Sequence, residues 1–165
     1  GGPRPVSDGA RAAFLARDGH GAEGSPWVAE AAWELGPGDD PASVADAFAR
    51  ALRAAPAERQ LALIRAHPDL AGRAALAGDL TADSAAEQAS AGLDRLVPAD
   101  LDRIRRLNRE YADRFGFPFV IRVAGRSVDE IIRAWERRLG KDPESERGAA
   151  VDEIAQIIAL RVAAA

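Results

Sequence analysis

The chain has 165 residues, a length that suits one domain with a single apolar core. It contains no cysteine, which excludes a disulfide framework, a thiolate metal site and a cysteine nucleophile. Its net charge of −4, from 22 basic and 26 acidic residues, lacks the basic excess typical of nucleic-acid-binding proteins. No apolar run approaches the ~20 residues of a membrane span, and neither a signal peptide nor a peroxisomal address is evident. We therefore expect a cytoplasmic protein without nucleic-acid or membrane partners.

The first two predicted helices are short. One is expected over residues 11–17, before a glycine-rich loop in which His20 is predicted to be a surface residue. Ser25 and Pro26 are typical of an N-cap and a first helical residue. The second helix should end at Gly36, and its apolar residues on one face are Trp27, Ala31 and Leu35.

Two clearer helices follow. Ser43 is predicted to open a helix with apolar residues at i, i+3 and i+4 spacing, which are Val44, Ala47, Phe48, Ala51 and Leu52. The next helix covers residues 57–66. It should stop near His67, because a residue that precedes a proline is disfavoured in the α region.

The second half of the chain predicts four more helices. After a loop over residues 79–83, Ser84 and Glu87 have the spacing of a capping box at a helix start. A long amphipathic helix covers residues 98–115 and ends at Gly116. A second capping box, residues 127–130, begins a helix that ends at Gly140. Residues 142–143 begin the last helix, with the core face Val151, Ile154, Ile158 and Val162.

Residues 117–125 break this helical pattern. They are apolar, contain a proline and are bounded by glycines, so they predict a buried extended segment that is too short for a helix. A single strand candidate has no sheet to join. We therefore predict an all-α fold, a compact multi-helix bundle with one short buried extended segment, in which residues 1–165 form a single domain.

Three residues are candidates for acid–base chemistry on a small anion. His67, at a helix end before Pro68, suits proton transfer near neutral pH, but a capping histidine is the alternative. Arg122 lies within an apolar run, where it would bind either a substrate anion or a structural carboxylate. Glu87 would be either a substrate ligand or the second half of the Ser84 capping box. With two histidines and no thiolate, we expect no metal site.

A series of short motifs runs through the chain from about residue 25 to residue 162. They are Ser25-Pro26-Trp27-Val28, His67-Pro68-Asp69-Leu70-Ala71-Gly72-Arg73, Ser84-Ala85-Ala86-Glu87-Gln88, Ala91-Gly92-Leu93, Asn108, Tyr111, Arg114-Phe115-Gly116, Phe119-Val120-Ile121-Arg122, Gly125-Arg126-Ser127 and Asp142-Pro143-Glu144-Ser145-Glu146. Their order and spacing resemble those of the OHCU decarboxylase family, where OHCU is 2-oxo-4-hydroxy-4-carboxy-5-ureidoimidazoline. Each motif alone is weak, but the ordered series is specific.

The resemblance implies a cofactor-independent carboxy-lyase that converts OHCU to (S)-allantoin and carbon dioxide in urate degradation. It places the proton donor on His67, and we assign Glu87 and Arg122 as further catalytic residues. The substrate-binding positions that it implies are Pro68, Ser84, Ala85, Ala86, Glu87, Gln88, Phe119, Val120, Ile121, Arg122 and Val123. Oligomeric state is left open between a monomer and a homodimer.

Two other classes of protein are alternatives to a decarboxylase. A histidine phosphotransfer module is also helical, but its histidine lies mid-helix on an exposed face, whereas His67 lies at a helix end. A non-catalytic helical interaction domain would give no reason for Glu87 and Arg122 to converge on a pocket with His67.

Overall fold

The computed structural model describes residues 8–22, 25–72, 78 and 80–164, apart from the side chains of Asp8 and His20. Within these ranges the chain forms eight α-helices, one 3-10 turn at Gly19–Ala22 and no strand, which confirms the all-α prediction. The helices are α1 (Asp8–Asp18), α2 (Pro26–Glu34), α3 (Pro41–Ala54), α4 (Ala57–Ala66), α5 (Ala82–Ser90), α6 (Pro98–Phe115), α7 (Val128–Leu139) and α8 (Pro143–Ala164). None of these helices is both long and apolar enough to cross a membrane.

The helices belong to two compact units. One unit comprises the chain up to Leu63 together with the residues from Ile154 onward, and the other comprises the continuous stretch Ile64–Glu153. The predicted His67, Glu87 and Arg122 all belong to the continuous unit. That residues 1–165 act as a single domain remains a prediction.

The first unit is built around the aromatic ring of Phe14. This ring lies 5.1 Å from the ring of Trp33 and 6.1 Å from that of Phe48, measured between centroids. The most buried residues of α2 are Val28, Ala29 and Ala32. The predicted apolar face of α2 is therefore not its core face. Trp27, Ala31 and Leu35 instead line an open cavity of about 340 Å³.

Several predicted helix boundaries are confirmed. Both α4 and α6 have the predicted bounds, and α6 is closed by Gly116 with a left-handed φ of 74°. At the start of α7 the Ser127 hydroxyl accepts from the Glu130 N–H at 3.2 Å and donates to the Glu130 carboxylate. The Asp142 carboxylate caps α8 by accepting from the Ser145 N–H at 3.1 Å.

The predicted start of α3 at Ser43 is wrong. The helix begins at Pro41, and the carboxylate of Asp40 caps it by accepting from the Ser43 N–H at 3.0 Å. Aspartate is as good an N-cap as serine, and proline suits the first helical position. The predicted core face of α3 is confirmed, since all five apolar residues, Val44, Ala47, Phe48, Ala51 and Leu52, are buried.

Residues 117–123 connect α6 to α7 and belong to neither helix nor strand. They are buried except for Pro118 and Arg122, which are partly exposed, whereas residues 124 and 125, the end of the predicted segment 117–125, are exposed. That the backbone here is extended remains a prediction. This apolar connection is the part of the continuous unit that carries the predicted substrate positions 119–123.

Candidate active site

His67 follows directly after the last residue of α4. Its backbone N–H donates to the Ile64 carbonyl at 3.1 Å, and its side chain is buried. The helix stops at the predicted place, because Pro68 disfavours the α conformation at the residue before it. His67 therefore lies just beyond the C-terminal end of α4.

Residues 69–72 form a tight turn after His67, while Arg73, the last residue of this motif, lies outside the described residues. A Cβ on Gly72 would lie only 2.5 Å from that of Asp69, so the turn requires glycine there. Ala71 has a φ of 49°, and it is the one non-glycine residue with positive φ among the residues described. Such a conformation costs an L-residue roughly 1–3 kcal/mol. Desolvation by burial raises the pKa of the Asp69 carboxyl.

Two amide side chains hold this turn. The side-chain oxygen of Gln88, on α5, accepts from the Ala71 N–H at 2.9 Å. The amide nitrogen of Asn108, on α6, donates to the Leu70 carbonyl at 3.1 Å. The loop that carries His67 is therefore fixed to two helices.

The predicted capping box at Ser84 and Glu87 is wrong. Helix α5 begins at Ala82, and the Thr81 hydroxyl caps it by accepting from the Ser84 N–H at 3.2 Å. Ser84 is thus the third helical residue, and it is buried. The predicted loop over residues 79–83 is shorter than expected, because 82 and 83 are helical, and residue 79 is not among those described.

This correction changes the alternatives for Glu87. With Thr81 as the cap, Glu87 lies within α5 and is only partly buried. A capping role at the helix start therefore no longer accounts for its carboxylate. Gln88, the next residue, is buried and Ala85 and Ala86 are exposed.

A buried polar network fixes the segment that contains residues 119–123. Arg138, on α7, donates to the Val120 carbonyl at 2.7 Å and to the Glu146 carboxylate at 2.8 Å. The Tyr111 hydroxyl donates to the same Glu146 oxygen at 2.5 Å. Burial, reinforced by this hydrogen bond to Glu146, raises the pKa of Tyr111. Three helices, α6, α7 and α8, thus meet at one carboxylate, and Arg138 links the segment with Val120 to them.

Aromatic rings surround this network. The ring of Phe119 stacks on that of Trp135 with centroids 4.5 Å apart. The guanidinium carbon of Arg138, Cζ, lies 4.5 Å from the centroid of the Phe119 ring. Structural roles for Arg138 and Glu146 were not predicted from the sequence. One signal was available, because Arg138 lies three residues after Trp135 and seven after Ile131, in the register of the buried face.

Among the residues that the structure describes, no ion pair is found for Arg122. Its Nε atom is buried and has no hydrogen-bond partner among the described residues, and none of their carboxylates pairs with its guanidinium. The Arg122 carbonyl accepts from the Arg126 side chain at 2.8 Å, which fixes the backbone but not the guanidinium. The alternative of a structural salt bridge therefore receives no support, and a buried donor is left for another partner.

Hydrogen bonds link some of the elements that carry the predicted site residues. Gln88 is bonded to the turn after His67, and the Arg65 side chain donates at 3.2 Å to the carbonyl of Gly116, the residue before the segment 117–123. The elements that carry His67, Gln88 and Phe119 are therefore neighbours. That His67, Glu87 and Arg122 face one common ligand remains a prediction.

The fold and this arrangement define a class: a small helical protein in which a buried histidine follows a helix end and precedes a turn held by amide side chains. Comparison with known proteins identifies the family within this class. Residues 9–163 match the family model described as OHCU decarboxylase. The chain belongs to the OHCU decarboxylase family.

Named relatives agree with this assignment. A 2-oxo-4-hydroxy-4-carboxy-5-ureidoimidazoline decarboxylase from Haloferax volcanii is 43% identical over 86% of this chain and 82% of its own. One from Halalkalicoccus jeotgali is 41% identical over 85% of this chain and 77% of its own. The bifunctional uric acid degradation protein of Bacillus subtilis is 35% identical, but the match covers only 28% of its length.

Solved structures show the same fold. A crystal structure of (S)-allantoin synthase superposes with a TM-score of 0.73 at 25% identity, over 93% of this chain and 50% of that one. A crystal structure of OHCU decarboxylase in the presence of (S)-allantoin gives a TM-score of 0.69 at 23% identity, over 86% and 91% of the two chains. At 23% identity, the second structure shows a similar fold only.

Proposed function

We propose that the protein decarboxylates OHCU and releases (S)-allantoin and carbon dioxide, as a step of urate degradation. The observation that carries the proposal is the buried His67 after α4, within a motif series that the family model matches over residues 9–163. His67 is buried and lies beyond the helix end, which disfavours a histidine phosphotransfer module, since that class needs an exposed mid-helix histidine.

The proposed reaction needs no cofactor, because the substrate contains its own electron acceptor. The bond between the ring carbon and the carboxylate breaks, carbon dioxide leaves, and the electron pair enters the adjacent ring C=N. The ring nitrogen takes up a proton, and the resulting enol gives up its hydroxyl proton while the ureido-bearing carbon is protonated on one face. The hydroxyl-bearing carbon thus becomes a carbonyl, and one proton is taken up overall. The protein must therefore supply orientation, electrostatics and one stereospecific proton.

We assign the proton to His67, which also contacts the 4-hydroxyl. Arg122 and neighbouring backbone groups hold the polar edge of the ring, and the unpartnered buried Nε of Arg122 supports that role.

The Glu87 carboxylate accepts from the ureido N–H groups. The Gln88 oxygen is already bonded to the Ala71 N–H, so its amide N–H₂ is assigned to the ureido carbonyl. Phe119 and Ile121 form the apolar wall, and Pro68, Ser84, Ala85, Ala86, Val120 and Val123 complete the proposed contacts.

The proposal is tested with freshly generated OHCU and purified protein, with and without a chelator. We expect faster loss of OHCU and a growing circular dichroism signal of (S)-allantoin in both samples. Folded protein that yields racemic allantoin at the uncatalysed rate would contradict the proposal. Loss of activity in the chelator would contradict only the absence of a metal.

We also propose that the enzyme works in the cytoplasm, needs no nucleic-acid or membrane partner, and forms either a monomer or a homodimer. Sedimentation at several protein concentrations would decide the oligomeric state.

A further inference from the structure

One peptide unit after His67 is held at both of its polar ends. The Leu70 carbonyl accepts from the Asn108 side chain and the Ala71 N–H donates to the Gln88 side chain. These two groups belong to the same peptide plane, between residues 70 and 71. We call the two amide side chains, of Gln88 and Asn108, the amide clamp. The plane cannot rotate without breaking both hydrogen bonds.

The clamp acts at the strained residue of the turn. Ala71 has a φ of 49°, and rotation of φ toward the usual negative range would turn the peptide plane that the clamp holds. Leu70 and Ala71 are both buried, so water would not readily replace the lost partners. The two amides therefore keep the backbone in a conformation that it would otherwise leave.

The same turn is fixed at its other end by α4. The His67 N–H donates to the Ile64 carbonyl at 3.1 Å, and Pro68 restricts the next φ angle. Only Pro68 and Asp69 lie between His67 and the clamped peptide unit. The backbone that carries the imidazole is thus fixed by one helix end and by the clamp.

We propose that Asn108, acting with Gln88, is a positioning residue that holds His67 where it delivers its proton. This inference rests on the proposed decarboxylase function. Asn108 is not among the proposed substrate contacts, and it acts on the backbone of the loop, not on the substrate.

The test compares Asn108→Leu with a matched control. Leucine keeps the shape of asparagine and removes the donor to Leu70. Gln60→Met removes the same kind of bond elsewhere, because the Gln60 amide donates to the Leu52 carbonyl at 3.0 Å. Both variants lose one amide-to-carbonyl hydrogen bond, so their melting temperatures should fall by similar amounts.

The activities of the two variants should differ. In Asn108→Leu we expect kcat to fall about 10- to 100-fold, as for other small misplacements of a catalytic group, with KM nearly unchanged. The enantiomeric excess of allantoin should also fall, because a mobile imidazole delivers its proton less selectively. Gln60→Met should keep the wild-type kcat and enantiomeric excess.

Hydrogen exchange gives a readout that does not require activity. The amide of Ala71 should lose protection in Asn108→Leu and keep it in Gln60→Met. Unchanged protection would overturn the clamp, and lost protection with wild-type kcat and enantiomeric excess would overturn the positioning role. An inactive wild-type protein with a protected Ala71 amide would overturn the proposed function, and the positioning role with it. If Asn108→Leu does not fold, Asn108→Ala, which leaves room for water at Leu70, provides the same comparison.

Discussion

Replacing His67 with glutamine distinguishes a proton donor from a residue that only follows a helix end. We expect His67→Gln to fold normally and to lose about 10²- to 10⁴-fold in kcat, the usual contribution of a positioned acid–base group. Initial rates of OHCU loss and the allantoin circular dichroism signal measure this. A variant that keeps more than about a third of the wild-type rate would leave His67 with a structural role only.

Glu87 now has a sharper test, because Thr81 and not Ser84 caps α5. We expect Glu87→Gln to melt within a few degrees of the wild type, or ~1 kcal/mol, since the partly exposed residue lies within the helix. Its activity should fall at least about tenfold, or ~1.4 kcal/mol of barrier, because glutamine loses the negative charge that accepts the ureido N–H groups. Glu110→Gln, on the exposed side of α6, is the control. Equal activity in the two variants would make the Glu87 carboxylate dispensable.

Arg122 should not tolerate lysine. Lysine keeps the charge but has neither the planar fork nor a donor at the position of the buried Nε, so we expect kcat/KM to fall at least about tenfold. Arg109→Lys, on an exposed part of α6, should keep the wild-type kcat/KM in the same assay. Near-normal kinetics in Arg122→Lys would reduce the role of Arg122 to general electrostatics.

At the scale of the helices, the buried Glu146 joins α8 to α6 and α7. Removing its charge leaves Arg138 buried and unpaired, so we expect Glu146→Gln to lower the free energy of unfolding by about 3–5 kcal/mol. Glu136→Gln breaks a glutamate–arginine pair with Arg103 that is about half exposed, and it should lower this free energy by no more than about 1 kcal/mol.

Urea unfolding of the two variants measures this difference. Because Arg138 also donates to the Val120 carbonyl, Glu146→Gln should in addition raise KM for OHCU, whereas Glu136→Gln should not. Similar stabilities of the two variants would show that the buried pair contributes no more than the exposed one.

The sequence predicted the helices well, but it misplaced two helix starts in the same way. Ser43 and Ser84 are good N-cap types, yet in each helix the real cap lies three residues earlier and accepts from the N–H of that serine. For α5 the local pattern cannot decide between two capping residues three positions apart, because both satisfy the same preference. For α3 the proline at position 41 favours the earlier cap, and the prediction overlooked it. The starts of α6 and α8, each marked by a proline, were predicted without this ambiguity.

The candidate site was only partly predictable. His67 was found because its proline fixes the helix end locally. The bonds from Asn108 to Leu70, and from Arg138 to Val120, join residues 38 and 18 positions apart, and no helical periodicity encodes them. The resemblance to the family supplied the order of the motifs, while the partners of the loop and of the segment 117–123 required the folded chain.

At the scale of the whole molecule, the two units differ in how the chain forms them. The unit that carries the proposed catalytic residues is one continuous stretch, Ile64–Glu153. The other unit needs both ends of the chain, and a hydrogen bond from Arg161 to the Gly21 carbonyl at 3.1 Å spans 140 residues within it. A Cβ on Gly21 would lie 3.2 Å from Ile158, so the 3-10 turn and the last helix approach closely at this point.

The bond between Arg161 and Gly21 bears on how the protein is made. During synthesis on the ribosome the N-terminal part of a chain emerges first and usually folds first. Here the residues up to Leu63 must wait for Ile154 and its successors, which are translated after the continuous unit, before their own unit is complete. The continuous unit has all of its residues earlier. The nascent chain should therefore assemble the unit with His67 before the unit that precedes it in sequence, leaving α1 to α3 exposed to chaperones and proteases until the residues from Ile154 onward have emerged.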